Sequence, residues 1–262
     1  MGKAGMKMKR SWILLLAVCM LFTGCGRKGD KIRSLDDLEG KTIGVQMKTT
    51  GDIYASDIKN AKTKQFNKGI DAVKALRKGV VDAVMIDDAP AKVFAAQYSD
   101  VKILEEPYAK EEYGIAVNKE ETGLRDKINE ALEKLEQNGT LASIRQAWLQ
   151  EGEQKTAYQW PKKKHSGGKL VMVTNAEFPP YESKDNKGNV VGIDVDIMKA
   201  ICDMLDMDLE INDTAFDSIL ANVERKMADV GVAGMTITEE RRKQVDFTDP
   251  YTTAKQVVIV RK

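Results

Sequence analysis

Short apolar runs alternate along the chain with stretches whose apolar positions recur every three or four residues. The first pattern predicts buried strands and the second amphipathic helices. Residues 42–46 and 101–104 read as strands, and residues 70–78 and 90–97 as helices. Residues 124–135 and 141–149 continue as helices, and apolar strands resume at Lys169. One design occurs twice. Residues 72–87 and 219–234 each carry a helical stretch ending in basic residues (Arg77 and Lys78; Arg225 and Lys226), then an Asp (Asp82; Asp229) and an apolar strand. Such a repeat predicts two similar lobes. Strands alternating with helices predict an α/β fold with mainly parallel sheets, whose ligands sit beyond the carboxyl ends of the strands. Asp87 and Gly234 stand at two such ends.

The N-terminus changes the picture of where the chain resides. Lys3, Lys7, Lys9 and Arg10 precede an apolar run over residues 12–22, too short to span a bilayer as a mature helix and typical of a secretory signal peptide. The run ends in Leu21-Phe22-Thr23-Gly24-Cys25, which resembles the lipobox at which a thiol is acylated and becomes the mature N-terminus, although Phe22 replaces the usual Leu. Ordinary cleavage with a free Cys25 is the alternative, and nothing like Ala-x-Ala supports it. Two or three acyl chains on Cys25 anchor durably, which places the protein on the outer face of the cell membrane. Beyond residue 24 remain 37 basic and 40 acidic residues, a near-neutral balance that argues against a nucleic-acid surface. Cys25 and Cys202 offer no disulfide framework. Cys202 falls among Ile197, Ile201 and Leu205 and reads as a buried thiol. No metal cluster, cofactor motif or His-centred acid–base pair stands out.

Residues 150–168 are polar and end in Lys162-Lys163-Lys164-His165-Ser166-Gly167-Gly168, so they read as a linker, and His165 with them. Nineteen residues reach up to ~60 Å when extended.

The run from Ala233-Gly234-Met235-Thr236 through Glu239-Glu240-Arg241-Arg242 to Asp246-Phe247-Thr248-Asp249-Pro250-Tyr251 resembles the carboxylate clamp of the polar amino acid binding proteins of bacterial ABC importers. In that family the clamp lies in the first half of the mature chain. Here it lies near the end. Asn175-Ala176-Glu177-Phe178-Pro179-Pro180-Tyr181 resembles the family's opening segment, yet it follows residues 138–149, which resemble its closing helix. The resemblance covers nearly all of residues 32–149 and 169–262 and implies a two-lobed periplasmic-binding-protein type II fold, circularly permuted, with a ligand cleft between lobes joined by two hinge strands. The expected organisation is signal peptide 1–24, lipidated tether 25–34, one lobe over 35–112 with a last strand at 257–262, hinge and closing helices of the other lobe over 113–149, linker 150–168, and the rest of that lobe with the second hinge over 169–256.

The family's site carries over residue by residue. An α-amino acid needs an anion clamp, a carboxylate for its ammonium and a shaped pocket. Arg241 has the planar fork that grips a carboxylate bidentately; Thr236 adds hydroxyl and backbone, and Ala233 and Gly234 permit close approach. A surface ion pair of Arg241 with Glu240 or Asp246 is the bland alternative. Asp87 matches the ammonium acceptor. Neighbouring residues of a strand face opposite sides, so Asp88 belongs to the turn or a helix cap. Phe178 and Phe216 match the aromatics that hold the ligand's stem, with plain core packing the alternative for each. Gln46, Thr49 and Thr50 resemble the closing loop, in which Lys48 replaces a frequent glycine. Asn175 stands where relatives often carry Asp and suits a neutral polar side chain such as that of glutamine, while Glu177 and Glu182 restore negative charge if they face the cleft.

These residues imply a lipid-anchored receptor for a polar L-amino acid, partnered by a membrane permease and its ATPase and working without cofactor or catalysis. A same-fold enzyme such as a cyclohexadienyl dehydratase and a ligand-sensing module for a receptor are the competing readings. A monomer is expected, with a half-swapped dimer as the alternative.

Overall fold

The structure, a computed structural model, describes residues 31–149 and 165–262 together with Gly2. The expected signal peptide, Cys25 and the lysine run of residues 162–164 lie outside the described residues.

Two sheets are built to one plan. The first gathers β1 (Thr42–Gln46), β2 (Lys62–Phe66), β3 (Ala83–Asp87), β4 (Val101–Ile103) and the lower half of a long C-terminal strand, β14 (Thr252–Arg261), in the order β2-β1-β3-β14-β4. The second gathers β6 (Ala116–Val117), β7 (Lys169–Thr174), β11 (Asp208–Asp213), β12 (Val230–Gly231) and β13 (Asp246–Phe247), in the order β11-β7-β12-β6-β13. In each, the first three strands are parallel and the fourth runs against them, contributed by a distant part of the chain. The repeat of residues 72–87 and 219–234 supplies the third strand of each sheet. A small antiparallel sheet of β8 (Glu177–Phe178), β9 (Glu182–Lys184) and β10 (Val190–Val191) flanks the second lobe.

Helices cover the sheets. The first lobe carries α1 (Thr50–Asp57), α2 (Gly69–Arg77) and α3 (Asp88–Ala95); the second carries α4 (Thr122–Gln137), α5 (Thr140–Leu149), α6 (Ile193–Leu205), α7 (Ile219–Glu224) and α8 (Glu239–Gln244). Each of the longer helices buries one stripe, as in α4, where Ile128, Ala131, Leu132 and Leu135 recur at helical spacing and are buried while the intervening charges face water.

The chain passes between the lobes twice. β5 (Ala109–Tyr113) leads through Gly114 and Ile115 into β6, and residues 248–251 lead from β13 into β14. β5 and the start of β14 pair antiparallel, from Thr252 opposite Tyr113 to Gln256 opposite Ala109, and form a two-stranded ribbon at the base of the cleft. A Cβ on Gly114 would lie 2.8 Å from Ile237, so the crossing needs a residue without one. β14 begins five residues before the last strand expected over residues 257–262.

His165 departs from the linker reading. Its ring is buried, with Nδ1 3.0 Å from Asp208 and Nε2 3.4 Å from Asp203. The residue is a docking point for the chain as it re-enters the second lobe.

Candidate functional site

All eleven residues singled out for the ligand line one cavity between the lobes: Gln46, Thr49, Thr50 and Asp87 from the first, and Asn175, Phe178, Phe216, Ala233, Gly234, Thr236 and Arg241 from the second. The lobes are drawn together around it: the cavity's volume of about 10 Å³ leaves room for little more than a water molecule.

Arg241 is set by the start of α8. The Thr238 hydroxyl caps that helix by accepting from the Arg241 backbone N–H at 3.2 Å. The side chain is buried, and its guanidinium donates to the Thr236 carbonyl at 2.7 Å and to the Lys48 carbonyl of the opposite lobe at 3.2 Å. Burial lowers its pKa, and the negative charges of Glu111 and Asp87 oppose that shift; an arginine remains charged in any case. Glu240 is engaged by Lys243, and Asp246 by Arg125 and Arg242, so the surface ion pair considered for Arg241 is not formed. Its guanidinium carbon lies 5.6 Å from the centre of the Phe216 ring, within cation–π range.

Asp87 ends β3 and is buried, whereas Asp88 opens α3, accepts from the Lys255 N–H at 3.3 Å and pairs with Lys92. The two neighbours thus point opposite ways. Tyr113 from the hinge ribbon donates its hydroxyl to Asp87. Burial raises the Asp87 pKa well above the usual carboxylate value, and the charge of Glu111 raises it further. Glu111 escapes sequence reasoning, since its segment Ala109–Tyr113 looks like a solvated polar strand. It is buried in the ribbon, where Oε2 accepts from Thr236 Oγ1 at 3.2 Å and Gln256 Nε2 at 3.0 Å. Tyr54, pushed up to about 12 by burial and by Glu111, completes this polar base.

Lys48 sits at φ 64°, in the left-handed region that favours glycine, the residue that the resemblance leads one to expect there. Its strained backbone aims the carbonyl at Arg241. Thr49 is occupied locally: its hydroxyl donates to the Gln46 carbonyl at 2.8 Å and caps α1 by accepting from the Asp52 N–H at 3.3 Å.

Gly234 adopts φ 51°, and a Cβ there would lie 2.7 Å from the Phe178 ring. Its N–H donates to Asp194 at 2.8 Å, and Tyr251 donates to the same carboxylate at 2.9 Å. Phe178 is buried, its ring stacked on Tyr181 with centroids 5.8 Å apart. Asn175 accepts from Gln46 Nε2 across the cleft at 3.0 Å and donates to the Thr214 carbonyl at 2.8 Å. Neither flanking glutamate lines the cavity. Glu177 is held by Lys68 from the first lobe at 2.6 Å. Glu182 is wholly buried beside Asp194, where burial and then the Asp194 charge raise its pKa well above the usual carboxylate value.

Two α/β lobes of equal strand order, joined by paired strands and enclosing a polar cavity, define the type II periplasmic-binding-protein architecture. The sequence profile of the bacterial extracellular solute-binding proteins, family 3, matches residues 27–151 and 170–262, and the chain belongs to that family. It is 43% identical over 96 residues to a probable histidine-binding protein of Neisseria gonorrhoeae, covering 36% of each chain. It is 39% identical over 94 residues to the arginine-binding extracellular protein ArtP of Bacillus subtilis, again covering 36% of each. Against the solved structure of an ancestral arginine-binding protein bound to arginine the identity is 46%, covering 34% of this chain and 38% of that one, with a TM-score of 0.32. The aligned part of the chain spans about a third of the length of the curated relatives it matches.

Proposed function

We propose that the cleft captures a polar L-amino acid for an ABC importer. One observation carries this reading: a buried arginine and a buried aspartate, delivered by opposite lobes, line the same small cavity. Arg241 grips the ligand carboxylate as a fork, helped by Thr236 and by the close approach that Ala233 and Gly234 allow. Asp87 accepts the ammonium. Phe178 and Phe216 hold the aliphatic stem, while Asn175, Gln46 and Thr50 face the side chain and Thr49 holds their loop. Rotation about the β5–β14 ribbon brings Asp87 and the residue 46–50 loop onto a ligand already held by the Arg241 lobe, and the closed form is what the permease reads. The names of the histidine- and arginine-binding relatives support an amino acid as ligand.

The proposed permutation has support from both ends of the chain. Ile32 packs in one cluster with Val258 and Val260 of β14, so the chain's start and its last strand share a core. The other junction closes on α6, where Trp148 donates to Asp196 at 2.7 Å and His165 meets Asp203. Those two aspartates lie seven residues apart, ~10 Å along a helix, a short gap for residues 150–164. Collinear alignment that follows about a third of each relative is what exchanged halves produce. With Cys25 acylated, the Asp87 lobe carries the tether, on the outer face of the membrane.

Titration of the purified protein against individual L-amino acids, after unfolding and refolding to remove carried-over ligand, tests the function. One-to-one binding is expected, without turnover of arogenate or prephenate. A folded protein that binds no amino acid, or one that dehydrates arogenate, contradicts the reading and favours the enzyme.

A further inference from the structure

The back of the cavity wall rests on two acids. Asp194, in the first turn of α6, is buried, and its carboxylate accepts from the Gly234 N–H at 2.8 Å and from the Tyr251 hydroxyl at 2.9 Å. Gly234 lines the ligand cavity. Tyr251 ends the second crossing between the lobes, and its N–H donates at 3.0 Å to the Tyr113 carbonyl of the first crossing. One carboxylate therefore joins the cavity wall to the hinge. Glu182, which opens β9, is as deeply buried. The backbone sets the two acids side by side: the Asp194 N–H donates at 3.1 Å to the carbonyl of Tyr181, the residue before Glu182. Neither oxygen of Glu182 meets a donor among the described residues, and Asp194 lies within its hydrogen-bonding reach. The other groups that face Glu182 are Asp87 and Asp213, both acidic, and the Tyr181 and Tyr251 hydroxyls.

Two carboxyl groups in contact, shut away from water and without a cation, do not both ionise; one proton lies between them. Asp194 keeps the negative charge, because donors stabilise it there and none does so at Glu182. We propose that Glu182 is protonated and donates to Asp194, and that the pair is a positioning device, fixing the Gly234 turn of the ligand cavity against the Tyr251 crossing. Glu182 touches no ligand and acts through Asp194. The effect on binding rests on the amino-acid reading of the cleft, whereas the proton does not.

Infrared difference spectroscopy of the purified protein at neutral pH, wild type against Glu182→Gln, reads the proton directly. A protonated-carboxyl C=O band is expected in wild type and is lost in the variant. Individual L-amino acids, titrated one at a time, read the positioning, with circular dichroism as the check on folding. Glu182→Gln, neutral and still an N–H donor, keeps the wild-type affinity. Glu182→Met, of similar bulk but without a donor, is expected to weaken binding by about tenfold or more, the scale of one hydrogen bond to a charged group. Tyr251→Phe, which removes a donor from the same carboxylate, loses a comparable factor and decides the matter alone if Glu182→Met does not fold. Absence of the band in wild type overturns the shared proton. Wild-type affinity in Tyr251→Phe, or in a folded Glu182→Met, overturns the positioning role while leaving the amino-acid site standing. Wild type that binds no L-amino acid overturns the site reading and the positioning role together, and the infrared band still decides the proton.

Discussion

Arg241→Lys is expected to weaken binding of the cognate amino acid by at least about a hundredfold while the protein stays folded, because a lysine keeps the charge and loses the fork. The guanidinium does three things at once. It spans from the Thr236 carbonyl to the Lys48 carbonyl of the other lobe, lies against Phe216, and lines the cavity. A single ammonium cannot reproduce that reach and also meet both oxygens of a carboxylate. Titration reads the loss, with circular dichroism as the check on folding. Affinity within tenfold of wild type would mean that the carboxylate is held elsewhere.

Asp87→Asn is expected to cost a further large factor, roughly a hundredfold or more, since it removes the buried charge that meets the ammonium. It also abolishes a pH dependence. Burial, and next the charge of Glu111, raise the Asp87 pKa, whereas an ammonium ligand binds the ionised carboxylate. Wild-type affinity therefore falls as pH is lowered through that raised value, and binding releases a proton, visible as a buffer-dependent enthalpy. Stability of the ligand-free protein moves the other way. The unfolded chain gives up this proton near the ordinary value of 3.8, the folded one only at higher pH, so stability declines as pH rises between them. A pH-independent affinity in wild type would remove Asp87 from the ammonium site.

The sequence carries the frame because the frame is periodic. The strand expected at residues 42–46 and the helix expected over residues 141–149 correspond to β1 and to α5, and the twofold repeat corresponds to two sheets of one order. β2 is missed for a physical reason. Its residues Lys-Thr-Lys-Gln-Phe form a sheet edge exposed to water, so no apolar alternation marks them. β13 has only two residues, too few for any period to register.

Site residues are legible where a motif fixes them, and invisible where only tertiary contact does. Arg241 and Asp87 come from long motifs. Glu111 looks like any hinge-strand glutamate until Thr236 and Gln256 close over it, and the Lys68–Glu177 pair joins residues 109 positions apart. The bland alternatives resolve the same way. Asp246, a sequence neighbour of Arg241, is taken by Arg125 from α4, which no local pattern encodes.

The central claim is that the cleft holds an amino acid by both poles of its zwitterion. The most direct measurement is titration of the refolded protein with its tightest-binding L-amino acid, compared with the decarboxylated amine and the deaminated acid of the same side chain. Loss of binding by about a hundredfold or more for each analogue is the predicted result. If either analogue bound as tightly as the parent, one pole would go unrecognised, and the pairing of Arg241 with Asp87 as a zwitterion clamp would be wrong.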